Sequence, residues 1–77
     1  MFNRTAQLVI TTASGTVYAL NLTANTLVRV SRDPDTAGPN GAFWFTSFEI
    51  DDDRRLVVRR NGDLFIRSSR IAEMYSY

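Results

Sequence analysis

Short runs of alternating apolar and polar residues, separated by turn residues, extend through this chain of 77 residues. They are rich in Val, Ile, Thr, Phe and Tyr, and a period of two is typical of β-strands with one buried face. We predict an all-β fold, with strands at residues 5–12, 16–22, 26–32, 43–50, 56–60 and 64–68 and a seventh extended segment at 71–75. A helix over residues 69–75 is a weaker alternative, because Arg70 stands where a capping box ending at Glu73 would need Ser or Thr.

The length allows only one domain, residues 1–77, and no linker or internal repeat divides it. Short strands joined by tight turns predict a small SH3-like barrel or a compact two-sheet sandwich of six to seven antiparallel strands. In the barrel the first and last strands pair, so that residues 71–75 cover the edge of residues 5–12. Because the chain has no Cys and no His, neither disulfides nor the usual transition-metal sites can supplement a small core. We therefore expect self-association or docking on another protein.

The first hairpin can be registered from its turn. A three-residue loop, Ala13-Ser14-Gly15, places Gly15 where a left-handed residue is needed. This loop pairs Ile10 with Tyr18, Leu8 with Leu20 and Ala6 with Leu22 on one apolar face. The other face is then mostly small or polar, and we expect it to be wet. Its residues are Gln7, Thr11, Val17, Ala19 and Asn21.

A second turn signal is Asn61-Gly62, which suits a type I′ turn with Arg60 facing Asp63. Both faces of this hairpin are apolar in the middle, and continuing the register separates them. The face with fewer arginines is assigned to the core through Val57, Leu64 and Ile66. The other face, with Leu56, Val58 and Phe65, is left for a partner or for the C-terminal segment. A change of one residue in the preceding turn would reverse this assignment.

Aromatic residues occupy both sides of the predicted strand at 43–50. Phe43 and Phe45 share the face opposite Trp44, where they either cap the open end of a barrel or form an exposed patch. Together with the second hairpin they make our candidate protein interface. Its residues are Phe43, Phe45, Leu56, Val58 and Phe65.

The chain lacks His, Cys and Lys, and with them the commonest general base, the best thiol nucleophile and the Schiff-base amine. We therefore expect no enzyme, no catalytic residue and no cofactor. The run Asp51-Asp52-Asp53 does not alternate its carboxylates as calcium loops do, so it predicts a turn and no metal site. No long apolar run follows Met1, which indicates synthesis in the cytoplasm with neither a secretion signal nor a membrane span.

Charge is divided into blocks along the chain. Residues 33–53 carry six acids and no base, whereas residues 54–77 carry six Arg and two acids. Such blocks are either solvated turns or surfaces of opposite sign on which copies or partners dock. The eleven-residue connection at 32–42 could present Asp33 and Asp35 to a cationic partner, or it could only span two sheets. Arginines beside Phe65, Tyr75 and Tyr77 form a candidate surface for single-stranded nucleic acid, namely Arg59, Arg60, Arg67 and Arg70.

Three segments of the chain carry a resemblance: GTVYALNLTANTLVRVSR, FWFTSFEI and LVVRRNGDLFIRSSRIAEM. In style they resemble small all-β proteins of unassigned function that actinobacteria and their phages encode. The resemblance lies in the Gly-Thr-Val-Tyr start at residues 15–18, the strand with Trp44 and the Arg67-Ser68-Ser69 step before Ile71. It covers most of the chain and transfers no functional residue.

Taken together, these features predict a non-enzymatic, phage-encoded protein-interaction module that is a virion assembly component or binds a host protein. Its partner is a second copy or a host protein, with a homo-oligomer favoured and no membrane involved. The competing interpretation is a small nucleic-acid-binding barrel, which would bind through its arginines in a salt-sensitive way. An enzyme using only carboxylates would need a cleft that holds a carboxyl group of raised pKa.

Overall fold

Residues 7–31 and 40–76 are described by the structure, a computed structural model, and they form an all-β fold. Seven antiparallel strands make one sheet in the order β4-β3-β2-β1-β7-β6-β5, and these described residues contain no helix. The predicted fold class is confirmed. The strands are β1 Leu8–Thr12, β2 Val17–Asn21, β3 Thr26–Val30, β4 Gly41–Trp44, β5 Ser47–Ile50, β6 Arg55–Arg60 and β7 Asp63–Ser76.

The last strand, β7, is 14 residues long and joins two regions that the sequence predicts as separate strands. Its first half pairs with β6, up to the pair of Arg55 with Arg70. Its second half, from Ile71 onward, pairs with β1, where Val9 lies opposite Tyr75. The prediction that the C-terminal segment covers the edge of the first strand is therefore confirmed, and the alternative helix does not form.

The two edges of the sheet meet where the predicted strand at 43–50 breaks. The edge strands β4 and β5 are consecutive in the chain and are joined by Phe45 and Thr46. The Phe45 N–H donates to the carbonyl of Asn25 at 2.9 Å, whereas the Thr46 N–H donates to the carbonyl of Arg59 at 2.8 Å. One dipeptide is thus bonded to both sides of the molecule, and the sheet curls to bring its edges together. The first and last strands lie at the centre of the sheet, so the edges meet elsewhere than predicted.

The first hairpin has the predicted register. Leu8 pairs with Leu20 and Ile10 with Tyr18. Gly15 has a φ of 90°, the left-handed conformation that the three-residue loop requires. The predicted pair of Ala6 with Leu22 lies outside the described residues.

The second hairpin departs from the predicted register after two residue pairs. Asn61 and Gly62 both have positive φ, and Arg60 pairs with Asp63 as expected. A register shift between Val58 and Arg59 then places Val58 opposite Ile66, where a regular ladder would place Phe65.

The predicted core assignment of the hairpin is wrong for Leu64, Leu56 and Val58, because the other face of β6 points inward. Leu56 and Val58 are fully buried at 0% exposure, whereas Leu64, predicted to be core, is 61% exposed. Because Phe65 is an extra residue in β7, Ile66 lies on the same side as Val58 and packs on the core, as predicted. Val57 is buried at 5% exposure, but it pairs with Glu49 and Arg67 and lies on the outer side of the sheet, outside the core cluster.

The core lies inside the curled sheet and takes residues from most of the strands. Full burial of side chains of this size stabilises the fold by about 1.5–3 kcal/mol each. Phe45, in the link between the edges, packs edge-to-face on Phe48 with ring centroids 6.0 Å apart. Ser68 is a buried polar residue that is satisfied locally, since its hydroxyl oxygen accepts from the N–H of Leu56 at 2.9 Å. The core cluster is Ile10, Tyr18, Leu20, Leu27, Phe45, Leu56, Val58 and Ile71.

Candidate interaction surfaces

The sheet has two outward surfaces of opposite character. Cross-strand partners lie on the same face, so the observed registers give the outward residues of each strand. The first surface covers β4, β3, β2, β1 and the second half of β7, and we name it the valine face. Its outward residues are Val9, Thr11, Val17, Ala19, Asn21, Thr26, Val28, Val30, Ala42, Trp44, Glu73 and Tyr75.

The valine face carries almost no charge. Among its described residues eight are apolar, and Glu73 alone is ionisable near neutral pH. Exposed fractions are 44% for Val28, 51% for Val30 and 53% for Tyr75. Antiparallel sheets normally present polar side chains on their outer surface. A contiguous apolar surface exposed in this way is a candidate interaction site.

One row of the valine face crosses five strands without a polar residue. It runs Tyr75, Val9, Ala19, Val28, Ala42, each opposite the next on the neighbouring strand. The wet face predicted for the first hairpin is therefore only part of a larger surface. Thr11 and Asn21 are polar as expected, but β3 and β7 add apolar residues that the hairpin alone does not reveal.

The second surface covers β5, β6 and the first half of β7, and we name it the charged face. Its outward residues are Ser47, Glu49, Arg55, Val57, Arg59, Leu64, Arg67 and Arg70. Arg59 Nη1 lies 3.1 Å from Glu49 Oε2. Arg67 Nη2 lies 3.8 Å from carboxylate oxygens of both Asp51 and Asp53.

Three acids of the acidic block and two arginines of the basic block therefore form ion pairs on one surface. The interpretation that they occupy different surfaces is wrong for Glu49, Asp51 and Asp53, because the β5–β6 hairpin folds these acids against arginines of β6 and β7. Asp33 and Asp35 lie outside the described residues, as does most of the connection at 32–42.

The three consecutive aspartates form a turn, as predicted. Asp51 Oδ1 accepts from the N–H groups of Asp53 at 3.0 Å and Arg55 at 2.9 Å, and Arg54 takes a left-handed conformation with a φ of 61°. One oxygen of Asp51 thus caps the turn, while the other faces Arg67. Within residues 7–31 and 40–76, no three acidic, His or Cys side chains group in a way that could hold a metal ion.

Arg60 lies between two aromatic rings at the place where the sheet edges meet. Its guanidinium carbon is 4.4 Å from the ring centroid of Trp44 and 4.0 Å from that of Phe65. Its Nε–H donates to the carbonyl oxygen of Trp44 at 2.9 Å. These contacts combine cation–π attraction with a hydrogen bond from β6 to the end of β4. Arg60 therefore holds the end of the edge strand β4 against β6 and β7.

The candidate interface predicted from sequence lies mostly inside the protein. Phe45, Leu56 and Val58 are at most 3% exposed, so no partner can reach them in this fold. Phe43 and Phe65 are half-buried and meet edge-to-face, with centroids 5.5 Å apart. These two rings pack on the core, as a barrel cap would, and they do not form an exposed patch.

Three of the four arginines proposed for nucleic acid, Arg59, Arg67 and Arg70, lie on the charged face, where acids are interspersed among them. Arg59 and Arg67 line a shallow cavity of about 320 Å³, but Glu49 and Asp51 line it with them. Arg70 donates from Nε to the backbone carbonyl of Asp53 at 3.4 Å. Arg60 stacks with Trp44 and Phe65 at the closure of the sheet. Of the nearby aromatics, Tyr75 belongs to the valine face, and Tyr77 lies outside the described residues.

Comparison of the chain with protein-family models, with curated proteins and with solved structures found no match. No helix in the described part of the chain is long and apolar enough to cross a membrane.

Proposed function

We propose that the protein is a non-enzymatic protein-interaction module that binds its partner through the valine face. The observation that supports this most is the unbroken apolar row from Tyr75 to Ala42 across five strands. Removing such a surface from water contributes about 25 cal/mol per Å² of apolar area. Because Glu73 is the one acid or base among its described residues, docking there desolvates little charge.

We further propose that the protein is encoded by a phage and that it either serves in virion assembly or binds a host protein. Its support is the resemblance in sequence style to small actinobacterial and phage proteins. The composition supports a non-enzymatic role, because the chain lacks His, Cys and Lys.

Nucleic-acid binding through Arg59, Arg60, Arg67 and Arg70 is the competing proposal, and the geometry favours it less. Phosphate binding would have to displace carboxylates from Arg59 and Arg67. Such displacement gives back part of the favourable charge neutralisation that drives binding to nucleic acid.

Site-specific photo-crosslinking in cells that make the protein tests the proposal. A photoreactive amino acid is placed at Val28 on the valine face, and a matched control carries it at Leu64 on the charged face. Both positions are exposed, at 44% and 61%. We expect discrete protein adducts from position 28 and none from position 64. Equal labelling at the two positions, or none at position 28, would overturn the valine face as the binding surface.

The identity of the adduct then separates the two finer roles. An adduct with a virion structural protein or with the protein itself supports assembly. An adduct with a cellular protein supports host binding, whereas an adduct with nucleic acid alone would overturn the proposal in favour of the competing one.

A further inference from the structure

We infer that the valine face binds the valine face of a second copy, about a two-fold axis that runs along β2 beside Ala19. This inference rests on the proposed function and names the partner of the same surface. It follows from the charge of the face and the sizes of its side chains, and the area of the face sets the strength expected of the dimer.

The charge distribution permits the face to meet itself. Two copies of the charged face would oppose Arg59 and Arg67 to the same arginines, and like charges brought together destabilise an interface. Two valine faces oppose no charge in their central row. Glu73 pairs with Thr11 on the outermost strand of the face, and its Oε2 accepts from the Tyr75 hydroxyl at 3.0 Å. Its carboxylate thus belongs to the solvated rim of the contact.

The sizes of the side chains in the row are self-complementary. A two-fold axis along β2 reverses the order of the strands, so Tyr75 lies over Ala42 of the second copy and Val9 over Val28 of the second copy. Ala19 then meets its own equivalent at the centre. The largest residue of the row therefore fills the space left by a small one, at the margin where two curved sheets diverge. An axis across the strands would instead place Tyr75 on Tyr75 and leave Ala42 facing Ala42.

The same axis gives a common packing of sheets. With the axis along β2, the strands of the two copies run within about 30° of each other, as in aligned β-sandwiches. Measured along the curve of the sheet, the five strands make the face roughly 20 Å wide and 15 Å long, given the usual spacings of strands and residues. This is well below the ~800 Å² per partner of a standard interface. We therefore expect a weak dimer that dissociates at micromolar concentrations.

Chemical cross-linking of single cysteines tests the dimer, because the natural chain has no Cys. Ala19→Cys places one thiol at the axis, and the control Ser47→Cys places one on the exposed surface of β5 in the charged face. The thiols project toward each other from sheets packed about 10 Å apart and so lie within reach of a flexible bismaleimide with an arm of up to about 10 Å. We expect a covalent dimer from Ala19→Cys at concentrations near 1 mM, where weak interfaces of this area are populated, and none from Ser47→Cys. Adding Val28→Arg to Ala19→Cys should abolish the cross-link.

A charge exchange tests the direction of the axis. Val9→Asp and Val28→Lys should each raise the dimer dissociation constant by about tenfold or more, measured by sedimentation equilibrium. The double variant should recover most of the affinity, because the new carboxylate at position 9 would then face the new ammonium at position 28 of the other copy. A dimer in which the double variant is as weak as the single variants would overturn the axis along β2. Far-UV circular dichroism of each variant reports whether the sheet has formed.

Two outcomes overturn the inference as a whole: light scattering that shows a monomer at about 1 mM, or equal cross-linking at positions 19 and 47. The same results leave the proposed function standing if Val28 still forms adducts with another protein in cells. If neither self-association nor such adducts are found, both proposals fail.

Discussion

The valine face and the charged face are the outer surfaces of one sheet, yet one exposes apolar side chains and the other carries charged side chains that partly pair. The charged face, with five ionisable residues, pairs Arg59 and Arg67 with carboxylates of its own hairpin. The valine face has one ionisable residue, and several of its valines and Tyr75 are about half exposed. Arginines that already lie beside carboxylates gain less from a charged partner, whereas exposed apolar area gains free energy only when something covers it.

The strand β7 shows that the character of the outward side chains changes with position in the sheet, even along a single strand. Its first half places Leu64 and Arg67 on the charged face, and its second half places Tyr75 on the valine face. The interior behind both faces is continuous, since Leu20 behind one and Leu56 behind the other belong to one core cluster. Inward residues therefore hold the two halves together, and outward residues distinguish them.

Removing core volume behind either face should have the largest effect. Leu20→Ala and Leu56→Ala each empty a site at 0% exposure, so each should lower the free energy of unfolding by about 3 kcal/mol. Urea denaturation followed by the fluorescence of the single tryptophan measures this. Leu64→Ala is the control at 61% exposure and should change stability by less than about 0.5 kcal/mol. If Leu56→Ala behaved like this control, the two faces would not share one core.

Replacing the glycine in the β1–β2 turn or in the β6–β7 turn should lower stability by similar amounts. Gly15 and Gly62 have φ of 90° and 88°, and an added Cβ at either meets no atom within 4 Å. Gly15→Val and Gly62→Val should therefore lower stability through backbone strain alone, by more than about 1 kcal/mol each. Thermal melting measures the loss, with Ala13→Val as a control in the same loop. Unchanged melting of Gly15→Val would contradict the left-handed turn that sets the first hairpin.

The neighbouring residues Arg60 and Arg59 allow the contribution of the sheet closure to stability to be compared with that of the charged face. Arg60→Ala removes contacts with Trp44 and Phe65, and it should cost about 1–2 kcal/mol through lost packing and cation–π attraction. Arg59→Ala removes only an exposed pair with Glu49, so its effect should stay below about 0.5 kcal/mol. Urea titrations of both variants in low and high salt make the comparison. Equal losses in the free energy of unfolding would mean that Arg60 does not stabilise the contact between β4 and the strands β6 and β7.

The smallest expected effect concerns nucleic acid. At about 150 mM salt, close to physiological ionic strength, we expect the wild type to retain no labelled single-stranded DNA on a filter. Replacing Arg59 and Arg60 by Ala should then change nothing. Retention by the wild type that the double variant loses would show that the charged face and the closure bind phosphates, and would reverse our ranking of the two surfaces.

Local sequence patterns predict most of the strands and the register of the first hairpin, because alternation and the Ala13-Ser14-Gly15 turn act over a few residues. The extra residue Phe65 in β7 and the break at Phe45 could not be foreseen in the same way. Both depend on how distant strands curve: the first moves Ile66 to the side of Val58, and the second divides the predicted strand at 43–50 between the two edges of the sheet. The inward face of β6 depends in turn on how the hairpin packs on the other strands, so Leu56 and not Leu64 lies in the core.

The candidate surface depends even more on tertiary structure. Val9, Ala19 and Val28 each stand at outward positions of their own hairpins, a signal that is visible in the sequence once β1, β2 and β3 are aligned. Tyr75 joins them only because the end of β7 pairs with β1. The arginines gave the stronger signal in the sequence, but their pairing with acids became apparent only in the folded chain.

The pairing of β1 with the end of β7 has a consequence for synthesis. Residues 8–12 leave the ribosome well before residues 71–76, the part of β7 that covers their open edge. At a synthesis rate of about 5–20 residues per second, that edge stays unpaired for about 3 to 12 seconds. The waiting segment, Leu8–Thr12, has no charge, no proline and a high propensity for strands, the features of segments that pair with foreign chains. Chains that are emerging side by side are therefore at risk of exchanging strands before any of them can fold.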